Sequence, residues 1–292
     1  MKQAILITAY KDIELLKTLV NSFNDNFNIY IHIDKKTSYL THDINLIKAK
    51  FNVKVIDSIY KINWGGFNHL KAILYLAKKA LLDNENHFFH LITGQDFLVK
   101  SPQELSDFFN EENQNIYLDN FSFPKKGWAN NGGQDRLFYY NFYDYLNCKN
   151  YKHRNWNNKL IKLQKKLNFK RKYAIEYPKI YAGSTYWSMP RKALHYAIGY
   201  SIDNPSFLKR FKYTLCAEEF YFQTILLNSP LVNNIVNDSL RYIDWTPKYG
   251  SNPAYLDEND YDKIKNSNAF FMRKVDSKIS KQLLKRFGYA TS

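Results

Sequence analysis

Short apolar runs alternating with helix-spaced apolar residues restrict this chain, more than any other feature, to a layered α/β fold. Gln3 to Thr8 is an apolar run bounded by polar residues. Leu15, Leu16, Leu19 and Val20 then recur at helical spacing, and Asn28 to Ile33 is a second strand-like run, so the opening segment reads β-α-β. A helical segment follows over about Phe67 to Leu82, and His87 to Thr93 is a further buried strand that ends in Gly94-Gln95-Asp96. Ser101-Pro102-Gln103-Glu104 marks a helix start, with Ser as cap, Pro at the first helical position and Glu in the capping-box place. The first third therefore runs β-α-β-α-β-α, and open sheets of this kind bind ligands just past their strand ends.

No internal repeat or low-complexity linker divides the 292 residues, and 45% hydrophobic content is ample for a sizeable core. A single domain over 1–292 is expected, with an aromatic and basic insertion over about 120–177. Inside it, Trp156, Leu160, Leu163 and Leu167 fall at helical spacing, while Lys159, Lys162, Lys165 and Lys166 supply charge. Such a helix either packs its apolar stripe on the core with its lysines solvated, the preferred reading, or lies on an anionic membrane surface.

The formal charge of +15, from 42 Lys and Arg against 27 Asp and Glu, predicts a negatively charged partner: a phosphorylated substrate, anionic lipid or nucleic acid. Aromatics interleaved with Lys and Arg between Tyr139 and Tyr173 keep a nucleic-acid-binding protein in view as the rival from another class. Cys148 and Cys216 form no CxxC or Cys/His ligand pattern, which argues against a disulfide framework or structural zinc and fits a reducing compartment. The apolar run in residues 1–10 is too short for a full signal peptide, and no later stretch approaches the ~20 apolar residues of a membrane span. Without an anchor or stem, a cytoplasmic protein is expected, peripheral on the inner face of the membrane at most.

The most chemically informative stretch is Cys216-Ala217-Glu218-Glu219-Phe220-Tyr221-Phe222, two adjacent carboxylates in an apolar, aromatic helical run. A desolvated carboxylate gains proton affinity and suits a general base. The same pair also suits the positive N-terminal end of a helix, so the residues alone leave both readings open.

Taken in order, a series of motifs resembles the core-2/I-branching β-1,6-N-acetylglucosaminyltransferases, glycosyltransferase family 14, which also contains the peptide O-xylosyltransferases. Ile31-His32-Ile33-Asp34-Lys35-Lys36 resembles the strand end HVDKK, and Trp64-Gly65-Gly66 the W-G segment. His90-Leu91-Ile92-Thr93-Gly94-Gln95-Asp96-Phe97 resembles L-S-G-x-D-[FY]-P, with Leu98 in place of the usual Pro. Gly183-Ser184-Thr185-Tyr186-Trp187-Ser188 is similar to G-S-x-[WF]-[WF]-x-L, and Ala217-Glu218-Glu219 to P-D-E. Arg241-Tyr242-Ile243-Asp244-Trp245 and Phe270-Phe271-Met272-Arg273-Lys274-Val275-Asp276 resemble the late R-Y-x-x-W and L-F-A-R-K-F-D motifs. The similarity runs nearly end to end.

This resemblance implies a GT-A-type nucleotide-sugar-binding α/β fold, a mixed central sheet flanked by helices. It further implies an inverting transferase that moves N-acetylglucosamine, or alternatively xylose, from a UDP-sugar donor to a glycan or lipid-linked glycan acceptor, as in surface polysaccharide synthesis. No cofactor or metal is expected, since one Asp and a neutral Gln around Gly94-Gln95-Asp96 are too few carboxylates for Mg²⁺ or Mn²⁺ against a diphosphate. By motif position Glu219 is the implied catalytic base, with Glu218 orienting or capping. Arg241 and Lys274, with Arg273 beside them, are the implied diphosphate contacts, and Asp34, Thr8 and Tyr10 the implied nucleoside side. Asp96, Tyr186, Trp187 and, more loosely matched, Arg136 are implied on the acceptor side. No nucleic-acid partner follows from the resemblance.

Overall fold

The computed structural model describes residues 2–171 and 179–289. Its first part runs β1 (Lys2–Ala9), α1 (Ile13–Asn21), β2 (Phe27–Ile33), α2 (Thr41–Lys48), β3 (Val53–Asp57), α3 (Phe67–Leu81), β4 (Asn86–Thr93), β5 (Asp96–Leu98) and α4 (Pro102–Phe108). There follow β6 (Ile116–Leu118), β7 (Phe121–Ser122), α5 (Gln134–Phe138), α6 (Tyr151–Lys166), β8 (Tyr181–Ala182), β9 (Trp187–Pro190), α7 (Arg191–Asp203), α8 (Pro205–Arg210) and α9 (Glu218–Leu227). The last part holds β10 (Ile235–Val236), β11 (Arg241–Ile243), α10 (Tyr261–Lys265), β12 (Phe271–Arg273) and α11 (Lys281–Arg286).

The main sheet has the order β10-β6-β9-β4-β1-β2-β3. Strands β4, β1, β2 and β3 are parallel, whereas β9 runs antiparallel to both β4 and β6. A second sheet, β11-β12-β5, stands beside it. This is a mixed central sheet flanked by helices, the α/β arrangement expected. β1 is buried on both faces, as a central parallel strand must be: Ala4 and Leu6 join the core under α3, α7 and α9, while Ile5 and Ile7 join the one under α1 and the second sheet.

The expected β1, α1, β2, α3 and β4 are all present, and Ser101 caps α4 as foreseen, accepting from Glu104 N at 3.2 Å while Glu104 Oε2 accepts from Ser101 N at 2.8 Å. Unforeseen were α2 and β3. β3 is an edge strand with every residue at least partly exposed, so it lacks the continuous apolar run that marks a buried one.

Helix α6 departs from the expected core packing. Its one buried residue is polar: Asn157 Oδ1 accepts from Phe142 N at 2.9 Å, and Gln164 accepts from Tyr140 N at 2.8 Å and donates to Tyr140 O at 3.1 Å. Trp156, Leu163 and Leu167 stand 62%, 52% and 67% exposed. The irregular backbone at 139–142 needs hydrogen-bond partners, and that need turns the amide face inward. The insertion expected over 120–177 is described as far as Arg171; its end, Tyr173 included, lies outside the described residues.

Candidate active site

At the C-terminal ends of β1, β2 and β4 a cavity of about 320 Å³ opens, lined by Thr8, Tyr10, Asp34, Thr93, Arg136, Tyr186, Glu218, Glu219 and Arg273 among others. Parallel strands that end together leave such a crevice, because the chain must turn away on different sides. Two close approaches shape it. Gly183 passes so near β6 that a Cβ would stand 1.7 Å from Asp119 O, and Gly183 N donates to Glu219 O at 2.9 Å. Gly65 has φ +77° and its carbonyl accepts from Cys216 N at 2.9 Å, which ties the Trp64-Gly65-Gly66 loop to the turn before α9.

Glu218 and Glu219 open α9, so the helix-start reading of the pair holds together with the cleft reading. Glu219 Oε2 pairs with Arg136 Nη1, whose guanidinium lies 4.4 Å from the Trp128 ring centroid. Burial raises the Glu219 pKa above the usual carboxylate value, and Arg136 opposes that rise without cancelling it. Glu218 Oε1 lies 2.9 Å from His69 Nδ1, and His69 Nε2 lies 3.3 Å from Thr8 Oγ1. The two acids thus have separate partners, one a cation and the other an imidazole.

On the opposite, sheet-derived side, Arg273 Nη1 donates to Thr93 Oγ1 at 2.6 Å and to Asp96 Oδ1 at 2.9 Å, and its guanidinium stacks 4.8 Å from the Tyr186 ring centroid. Asp34 ends β2 as a turn-former as well as a cleft wall: Oδ1 accepts from Lys36 N and from Ile62 N, each at 3.0 Å. Tyr10 OH donates to Gln95 Oε1 at 2.7 Å, and Lys149 Nζ sits 4.9 Å over its ring. Burial, then the nearby Lys36, pulls the Lys149 pKa below the ordinary lysine value.

Thr8, Tyr10, Asp34, Arg136, Tyr186, Glu219 and Arg273 are therefore brought together, and four expected positions are not. Arg241 points into the sheet junction: Nη1 donates to Ser188 Oγ at 2.7 Å and to Ser239 O, Nη2 to Trp187 O at 2.9 Å and Leu91 O at 3.2 Å. Its two terminal nitrogens make four hydrogen bonds at the join of two sheets, three to carbonyls and one to the Ser188 hydroxyl, and burial pulls the pKa of Arg241 down to about 10. Asp96 is fully buried, its carboxylate occupied by Arg273 and Thr93 N, so it holds Arg273 in place instead of meeting a sugar. Trp187 follows Tyr186 into β9 and, by strand alternation, takes the opposite face, 4.9 Å from the Phe222 centroid in the core. Lys274 Nζ donates to Ser251 Oγ at 2.6 Å and lies 4.3 Å over the Tyr255 ring, behind the Asn252 and Pro253 wall of the cavity.

Sequence reasoning missed His69, Lys36 and Lys149 as cleft residues, and it used Trp64 and Trp245 only as motif letters. Both tryptophans line the cavity, 55% and 61% exposed. Their signal was present, as exposed-type aromatics in loops, whereas nothing in the local pattern marks His69 on α3 or Lys149 before α6. Among the described residues, no group of three or more His, Cys, Asp and Glu side chains is placed to hold a metal ion, and both cysteines are free and buried. No described helix is long and apolar enough to cross a membrane.

A family model described as Core-2/I-Branching enzyme matches residues 4–265. The chain belongs to the Core-2/I-branching enzyme family. The family is one of glycosyltransferases. Similar curated proteins include Xylosyltransferase 2 of Rattus norvegicus, 23% identical over 96% of this chain and 32% of that protein. Xylosyltransferase 1 of Homo sapiens is 22% identical over 89% of this chain and 27% of that protein. The chain spans less than a third of the length of these relatives. Among solved structures, S. aureus TarS 1–349 in complex with UDP-GlcNAc is similar over 40% of this chain and 34% of that one, at 23% identity and TM-score 0.31. The WbbM bifunctional glycosyltransferase is similar over 94% of this chain and 46% of that one, at 12% identity and TM-score 0.42.

Proposed function

We propose that this family member is an inverting, metal-independent glycosyltransferase that moves N-acetylglucosamine from UDP-GlcNAc to a hydroxyl of a glycan acceptor, forming a β-linkage. The observation that carries the reading is one cavity holding both a carboxylate of raised proton affinity and a fixed guanidinium. Glu219 takes the proton from the acceptor hydroxyl as its oxygen attacks the anomeric carbon; the bond to the diphosphate breaks, and UDP leaves with its negative charge. Arg136 occupies Oε2 and leaves Oε1 to receive that proton.

Arg273 meets the departing diphosphate. Its Nη1 is committed to Thr93 and Asp96, while Nη2 and Nε hold no protein hydrogen bond among the described residues. Lys149 and Lys36 add positive charge from the facing wall. Asp96, the acid of the Gly94-Gln95-Asp96 motif, is already paired with Arg273 and is not free to serve as a metal ligand, which is why activity without a divalent ion is proposed. Trp64 and Trp245 offer ring faces to pyranose C–H surfaces. The alternative donor is UDP-xylose, in keeping with the name xylosyltransferase carried by the curated relatives.

A panel of UDP-sugars assayed for transfer in EDTA tests the reading. UDP-GlcNAc is expected to turn over, and Glu219→Gln to lower turnover about 10²- to 10⁴-fold with little change in UDP affinity. Preference for UDP-xylose would change the donor, activity restored only by Mn²⁺ would overturn metal independence, and a loss confined to Glu218→Gln would move the base to the His69-linked acid.

A further inference from the structure

We propose that α6 docks this protein on an anionic lipid surface. On a helical projection, Trp156, Leu163 and Leu167 share one stripe, and all three are mostly exposed. Lys152, Lys159, Lys162 and Lys166 line one side of that stripe, and on the other side lies the face that Asn157 and Gln164 fasten to residues 140–142. Between Lys149 and Lys170 the chain carries eight Lys and Arg and no Asp or Glu. Phe169, exposed just past the helix, extends the apolar surface at its C-terminal end.

The charge selects the occupant. A second copy of the same helix would set lysine against lysine, and a purely apolar partner would leave this cationic border without counter-charge. An anionic bilayer satisfies both halves, since the rings and leucines enter the interfacial region while the lysines reach the headgroups. Nucleic acid would use the lysines but has no use for Leu163 and Leu167. The placement bears on the cleft as well. Lys149, just ahead of the Asn150 cap of α6, lines the cavity, so a helix lying on lipid sets the rim of the cleft beside that surface.

Sedimentation of the full chain with phosphatidylcholine vesicles, with and without phosphatidylglycerol, tests this. Binding is expected only with phosphatidylglycerol, weakening as salt rises, with Trp156 emission shifting to the blue; Trp156→Phe identifies that signal. Replacing Lys159, Lys162 and Lys166 together with Gln should weaken binding about a hundredfold, at roughly fivefold for each lysine near an anionic surface. The Trp156→Ser, Leu163→Ser, Leu167→Ser triple variant should lose vesicle binding while keeping its melting temperature, because those side chains are exposed. Unchanged vesicle binding by that variant overturns the proposal. So does tighter binding to a single-stranded oligonucleotide that depends on the lysines alone, or self-association in sedimentation velocity that the Ser variant abolishes.

Discussion

Replacing Arg241 with Met separates a guanidinium that supports the sheets from one that holds a diphosphate. The substitution removes the donors to three buried carbonyls, those of Ser239, Leu91 and Trp187, and to the Ser188 hydroxyl, which His90 Nδ1 also meets at 2.8 Å. Each orphaned buried carbonyl costs about 1 to 3 kcal/mol. The guanidinium also stacks 4.8 Å from the Phe271 centroid, a contact that Met replaces in part. Against these losses stands relief from burying a charge whose pKa burial has drawn down to about 10. The balance is a loss of about 3 kcal/mol, which in a chain of this size lowers Tm by roughly 6 °C. Scanning calorimetry measures the first quantity, and UDP titration well below the new Tm measures the second. A lowered Tm with UDP affinity changed less than about threefold, under 1 kcal/mol, is expected. An unchanged Tm with UDP binding lost would place the guanidinium in the cleft and refute the reasoning.

Removing the cation beside the proposed base should act through pH. Glu219 works as a carboxylate, so activity is present above its pKa and lost as pH falls through it; Arg136→Met deletes the group that opposes the burial-driven rise. The acid limb of kcat/KM is then expected to move to higher pH, with activity recovering in alkaline buffer, and an equal loss at every pH would contradict this. Arg273→Lys keeps a positive charge for the fully buried Asp96 but loses the planar fork. UDP affinity should fall about tenfold with uridine affinity unchanged, as for one charge-assisted contact; equal losses for both ligands would move the diphosphate site.

The backbone plan of this protein was legible in its sequence because buried parallel strands and amphipathic helices each carry a local period. β1, α1, β2, α3 and β4 could be read off directly, and the capping box at Ser101 marked α4 to the residue. Ordered motifs also placed Arg273, Asp34 and Tyr186 at loop and strand ends and Glu219 at a helix start, where a cavity was to be expected. Orientation was not encoded in the same way. Arg241 and Arg273 are both basic residues at strand ends in late motifs, yet one faces carbonyls at the join of two sheets and the other the cavity. That distinction depends on β11, β12 and β5 pairing into a second sheet, a contact between segments far apart in the chain. Tyr186 and Trp187 divide between cleft and core because of the register of β9 against β4. His69 meets Glu218 across 149 residues, and Arg136 meets Glu219 across 83. Local periodicity fixes which residues share a face of one element. Only the packing of distant elements decides which side chains meet, and in this protein that packing turned polar Asn157 inward and left Trp156 in solvent.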